Sequence, residues 1–77
     1  MPERTDWEAK TANLLKAELK RRGVTYGQLV ERLAAIGVPE KEVNIRNKLA
    51  RGKFTAVFFL QCLVAIGCTV LRLEDGS

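Results

Sequence analysis

The residues with the strongest chemical character lie in one stretch, Lys41 to Lys53, which reads KEVNIRNKLARGK. At 100° per residue, Lys41, Asn44, Lys48 and Arg51 fall within about 80° of one another on a helix, with Glu40 and Asn47 flanking them. Such a row offers hydrogen-bond donors rather than a general base. Lysine and arginine reach phosphate oxygens and guanine, and asparagine pairs bidentately with adenine. The plain alternative is the solvated face that every amphipathic helix needs. Ile45, Leu49, Ala50 and Val43 occupy the opposite sector and are expected to pack inward, with Glu42 and Arg46 as an i,i+4 ion pair at the bundle edge.

Charge placement favours an anionic partner. The chain of 77 residues carries a net charge of +4. Lys20, Arg21 and Arg22 form one positive cluster, and residues 41–53 hold five bases against Glu42, so the remainder is net negative. A positive field confined to two segments suits a polyanion better than general solubility.

Other chemistry has little to stand on. Histidine is absent, which removes the commonest metal ligand and general base. Cys62 and Cys68 match neither a zinc pattern nor a redox CxxC, and are expected as buried thiols in a reducing cytoplasm. No phosphate-cradling glycine loop or paired carboxylate stands out, so no enzyme, metal site, cofactor or small-molecule substrate is expected. Residues 1–20 contain no apolar block of the kind a secretory leader needs. The apolar run from Ala56 to Leu71 is broken by Gln61, Gly67 and Thr69 and is shorter than the roughly 20 residues of a membrane span. The expectation is a cytoplasmic protein without a membrane segment.

Four helices must position the basic row, in a single domain over residues 1–77. Thr5 with Glu8, and Thr25 with Gln28, read as capping boxes that open helices over about 6–22 and 25–36; Gly23 and Gly37 stop them. Trp7, Ala12, Leu15 and Leu19 share one side of the first. Pro39, followed by Glu40 and Glu42 in a first turn, opens a third helix over about 40–51, ended by Gly52. The fourth, about 55–66, is apolar nearly all round. Beyond Gly67, Thr69 either caps a last turn or joins Val70 in a short strand ending at Asp75-Gly76; the β-branched pair favours the strand. The fold class is therefore mainly α, a compact bundle of four helices with a possible short C-terminal strand.

The order of these elements, with "RGVT" at 22–25, Leu29-Val30, Gly52-Lys53 and "LVAIG" at 63–67, resembles the helix-turn-helix domain of phage repressors and Cro proteins over roughly residues 10–70. This chain has about six residues more between Leu29 and Gly52 than the family pattern. Leu19 and Ala50 stand where that family buries an arginine and a glutamate, an apolar replacement of an ion pair. The resemblance implies base reading by Asn44 and Lys48, with Lys41 on the extra turn. It also implies phosphate contacts from Thr25 and Tyr26 at the start of the second helix, and from Arg51 and Lys53 after the third. Separately, "NKLARGKFTAVFFLQCLVAIG" and "LKRRGVTYGQL" are similar to a small group of bacterial proteins catalogued only as a domain of unknown function.

The fourth helix is expected to fill the bundle with Phe54, Phe58, Phe59, Cys62, Leu63 and Ile66. Val57, Gln61 and Val64, with Val70 in the tail, are left to a homodimer contact or to cover by the first helix. The reading is a small transcriptional regulator binding duplex DNA sequence-specifically through helix three. The alternative is a protein-interaction module, antitoxin-like or an adaptor subunit, that uses the apolar helix-four face.

Overall fold

The computed structural model describes residues 5–74, which form four helices: α1 (Asp6–Arg22), α2 (Tyr26–Ala35), α3 (Glu42–Arg51) and α4 (Ala56–Ala65). Local chemistry sets three of the four starts. The Thr5 hydroxyl accepts from the Glu8 amide while Glu8 accepts from the Thr5 amide, and Thr25 and Gln28 repeat the exchange. Thr55 caps α4 by accepting from the Phe58 amide.

Helix α3 opens at Glu42, two residues later than the sequence implies. Proline disfavours a helical conformation in the residue before it, and Lys41, the N-cap, is extended (φ −119°, ψ 145°) with no side-chain cap bond. Instead the Glu40 carboxylate folds back to accept the Lys41 amide at 3.1 Å. At the far end Gly52 stops α3 with φ 70°, and a Cβ there would stand 2.3 Å from the Glu8 carbonyl oxygen. The start of α1 therefore lies directly against the end of α3.

Helix α1 packs on α3 and α4, and α2 packs on the same two. Leu15 and Leu19 of α1, Leu29 and Leu33 of α2, Ile45 and Leu49 of α3, and Phe58, Cys62, Leu63 and Ile66 of α4 make one continuous core. Trp7 is not part of it. At 78% exposed it lies in the first turn of α1, beyond the reach of α2, and lines an open apolar groove of about 430 Å³ with Leu14, Phe54, Phe59 and Leu73. Ala50 is exposed, so it is no buried partner for Leu19.

No strand occurs among the described residues. Residues 69–72 run without regular structure and turn at Leu73 and Glu74, while the expected strand end at Asp75-Gly76 lies outside the described residues. A strand needs a ladder partner, and a bundle whose every other element is helical offers none. No helix is long and apolar enough to cross a membrane among the residues described.

Candidate nucleic-acid interface

The anchoring of α3 determines which of its side chains reach solvent. Ile45 and Leu49 are fully buried and fix the inward direction. Val43 (53% exposed) and Ala50 therefore face out rather than in, correcting the expected apolar sector. The outward line runs through Asn47, roughly 80° round from the centre of the expected stripe. Around it lie Val43, Asn44, Ala50 and Arg51, all exposed.

Lys48 consequently falls on the flank, against the bundle. Its Nζ donates to Glu40 Oε2 at 2.7 Å and stands 4.2 Å from the centre of the Phe58 ring. Asn44 Nδ2 donates to the other Glu40 oxygen at 3.3 Å. Burial raises the Glu40 pKa, but the Lys48 hydrogen bond, the Lys41 amide and Asn44 outweigh it, so the carboxyl is held below its ordinary value. Glu40 thus clasps the connection 36–41 to the shaft of α3.

The opposite flank is similarly occupied. Arg46 Nη2 donates to Glu42 Oε2 at 2.8 Å, an exposed pair as well as an i,i+4 one, and its guanidinium carbon lies 5.9 Å from the centre of the Tyr26 ring. The Glu42 carboxylate would stand 3.2 Å from a Cβ on Gly27, which places it beside the first turn of α2. The Thr25 hydroxyl is engaged in its own cap and Tyr26 is half buried. Lys53 Nζ is 4.0 Å from Glu8 Oε2.

The sequence-derived residues therefore separate into two sets. Lys48, Arg46 and Thr25 are held by protein partners, and Asn44 and Lys53 more loosely so. Lys41, Asn47 and Arg51 are exposed and make no side-chain hydrogen bond or ion pair among the described residues. With Arg46 paired to Glu42 and Lys48 to Glu40, the exposed cations Lys41 and Arg51 stand at the two ends of α3.

A second surface lies on α4. Val57 and Val64 (each 63% exposed), Leu60 and Gln61 line a shallow groove of about 320 Å³ with Ile36 and Val38. Leu60 and Ile36 were not singled out in the sequence, though Leu60 sits on the same helical face as Val57 and Val64. Val70 belongs elsewhere, in a cleft with Glu18, Arg21, Arg22 and Arg72. Glu18, also missed, is the one buried charged side chain among the described residues and binds both Arg21 and Arg22. Its signal in the sequence was an acid on the apolar side of the first helix, three and four residues ahead of two arginines.

The Cys62 thiol is not activated. Burial pushes Cys62 up to about 12, and Cys68 is partly exposed and donates to the Val70 carbonyl at 3.3 Å. No group of three or more metal-ligating side chains gathers among the described residues.

The profile of one protein family, described as Domain of unknown function (DUF6471), matches residues 7–71. No curated protein and no solved structure matches the chain.

Proposed function

The chain belongs to the DUF6471 family, a domain of unknown function, and we propose from its surface that it binds duplex DNA through α3 as a small cytoplasmic transcriptional regulator of repressor-like helix-turn-helix type. The observation that carries this reading is the outward row of Asn44, Asn47 and Arg51, left exposed by the burial of Ile45 and Leu49 on the other side. Asn47 and Arg51 reach base edges, with Asn44 beside them. Val43 and Ala50 supply small apolar contacts of the kind made with thymine methyl groups. Lys41 and Lys53, at the two ends of α3, and the α2 start at Thr25 and Tyr26 address the phosphates, which position the helix without specifying sequence. Lys48 serves this surface indirectly, by holding α3 to its connection. A homodimer through the α4 groove would present two such helices to successive half-sites, about 34 Å apart.

A titration of the purified protein with labelled duplex DNA across a range of salt tests the reading. Phosphate neutralisation makes log affinity fall linearly with log salt, by about 0.9 per phosphate contacted on B-form DNA. A protein that captures no duplex at low salt is not this regulator. The second reading, a protein-interaction module, draws on the α4 groove, whose Val57, Leu60 and Val64 are apolar and uncovered.

A further inference from the structure

Each flank of α3 carries a cation already joined to a carboxylate, and the two pairs differ in how firmly they are closed. Lys48 and Glu40 are partly buried, with Glu40 only 10% exposed and accepting from Asn44 and the Lys41 amide as well. Arg46 and Glu42 stand in solvent, 56% and 50% exposed, and meet at 2.8 Å, Nη2 to Oε2. An exposed ion pair contributes little to stability, so opening it costs the fold little. On α3, Arg46 lies about 100° round from Asn47, on the side that faces α2, with its guanidinium carbon 5.9 Å from the centre of the Tyr26 ring. The second oxygen of Glu42, Oε1, lies beside Gly27, 3.2 Å from where a Cβ there would stand. The carboxylate therefore sits between α3 and the first turn of α2, the two elements assigned above to base and phosphate contacts. A negative charge in that position neutralises the arginine beside it, whose planar fork of N–H groups matches phosphate oxygens as well as it matches a carboxylate.

We propose, on the reading of α3 as the duplex-binding helix, that Glu42 is an internal competitor of the nucleic-acid backbone. On binding duplex DNA its carboxylate gives up Arg46 to a backbone phosphate, which makes Arg46 a further phosphate contact and Glu42 a brake on affinity. One charge-assisted hydrogen bond replaces another, so the pair tunes affinity and its salt dependence rather than sequence preference.

The test is a double-mutant cycle on the full chain, in which the wild type, Glu42→Gln, Arg46→Ala and the double variant are each titrated with one labelled duplex across a range of salt. Glutamine keeps the shape of the side chain and removes its charge. Glu42→Gln should tighten binding by about two- to fivefold at low salt. Arg46→Ala should weaken it and reduce the salt slope by about 0.9. In the double variant the gain from Glu42→Gln should be lost, because the brake acts through Arg46; a gain that persists there is an effect of net charge and overturns the proposal. Capture of duplex by the wild type with no tightening in Glu42→Gln also overturns it, and leaves α3 as the duplex-binding helix. Failure of all four proteins to capture duplex at low salt removes that reading and the proposal together. Both side chains are at least half exposed, so their replacement leaves the core intact.

Discussion

Lys48 and Glu40 join the shaft of α3 to the connection that precedes it, Nζ to Oε2 at 2.7 Å, with the Phe58 ring beneath the ammonium. The pair makes Lys48 a structural residue first. Lys48→Ala should lower stability by about 1 kcal/mol, after discounting for its partial exposure, and depress the melting temperature by roughly 5 °C. Calorimetry of the variant measures this. An unchanged melting temperature together with collapsed DNA affinity would instead return Lys48 to the reading surface.

Arg51 and Asn47 should behave in the opposite way. Each replacement by alanine should alter stability by no more than about 0.5 kcal/mol, since both side chains are exposed and unpaired among the described residues. Loss of a base contact should reduce affinity for a selected duplex by about 1–3 kcal/mol, tenfold or more. Fluorescence anisotropy on the double variant decides the assignment, and full retention of affinity removes it.

Acid should weaken the fold through Glu18. Burial raises its pKa, but hydrogen bonds and charge from Arg21 and Arg22 more than reverse this, and the carboxyl lies below its ordinary 4.5. The unfolded chain then binds more protons than the folded one between those two values, so stability rises with pH there. The contribution is complete above about pH 4.5 and is lost as the pH falls through the folded value; Glu40 acts in the same direction. Glu18→Gln should flatten urea-unfolding stability over that acid range and cost about 2 kcal/mol near neutrality. A wild-type slope in the variant would assign the acid sensitivity elsewhere.

The α4 groove should govern self-association. Val64→Glu or Leu60→Glu places a charge on an apolar patch that a second copy would cover, and should yield a monomer in sedimentation velocity where the wild type is a dimer. Equal masses for both would reject this face.

Two glycines should differ sharply. Gly37 has φ 83° and nothing within 4 Å of an added Cβ, so alanine costs about 1 kcal/mol of backbone strain. At Gly52 the same strain is joined by collision with the Glu8 carbonyl, raising the cost to about 3 kcal/mol or more. Parallel denaturant melts compare them.

The helices were legible because their ends are written locally: Thr5 with Glu8, Thr25 with Gln28, and the glycines after each. The rotation of α3 was not. Val43, Ile45, Leu49 and Ala50 permit two apolar faces, and only packing against the other helices chooses Ile45 and Leu49. Lys48 was assigned outward for the same reason, since its partner Glu40 lies eight residues away in a connection that periodicity does not describe. Thr69 and Val70 carry strand propensity, but propensity cannot supply a neighbouring strand. Which groups share the cleft of Arg22 and Arg72 is likewise a matter of tertiary placement.

Because α1 and α2 each pack only on α3 and α4, every helix interface spans the connection at 36–41. A protease nick there would separate two fragments, neither of which retains an interhelical seam of its own. Each fragment alone should therefore be largely uncoiled, and mixing the two should restore helicity with a concentration-dependent midpoint. The intact molecule is expected to unfold as a single interlocked unit, with no half of it surviving the other.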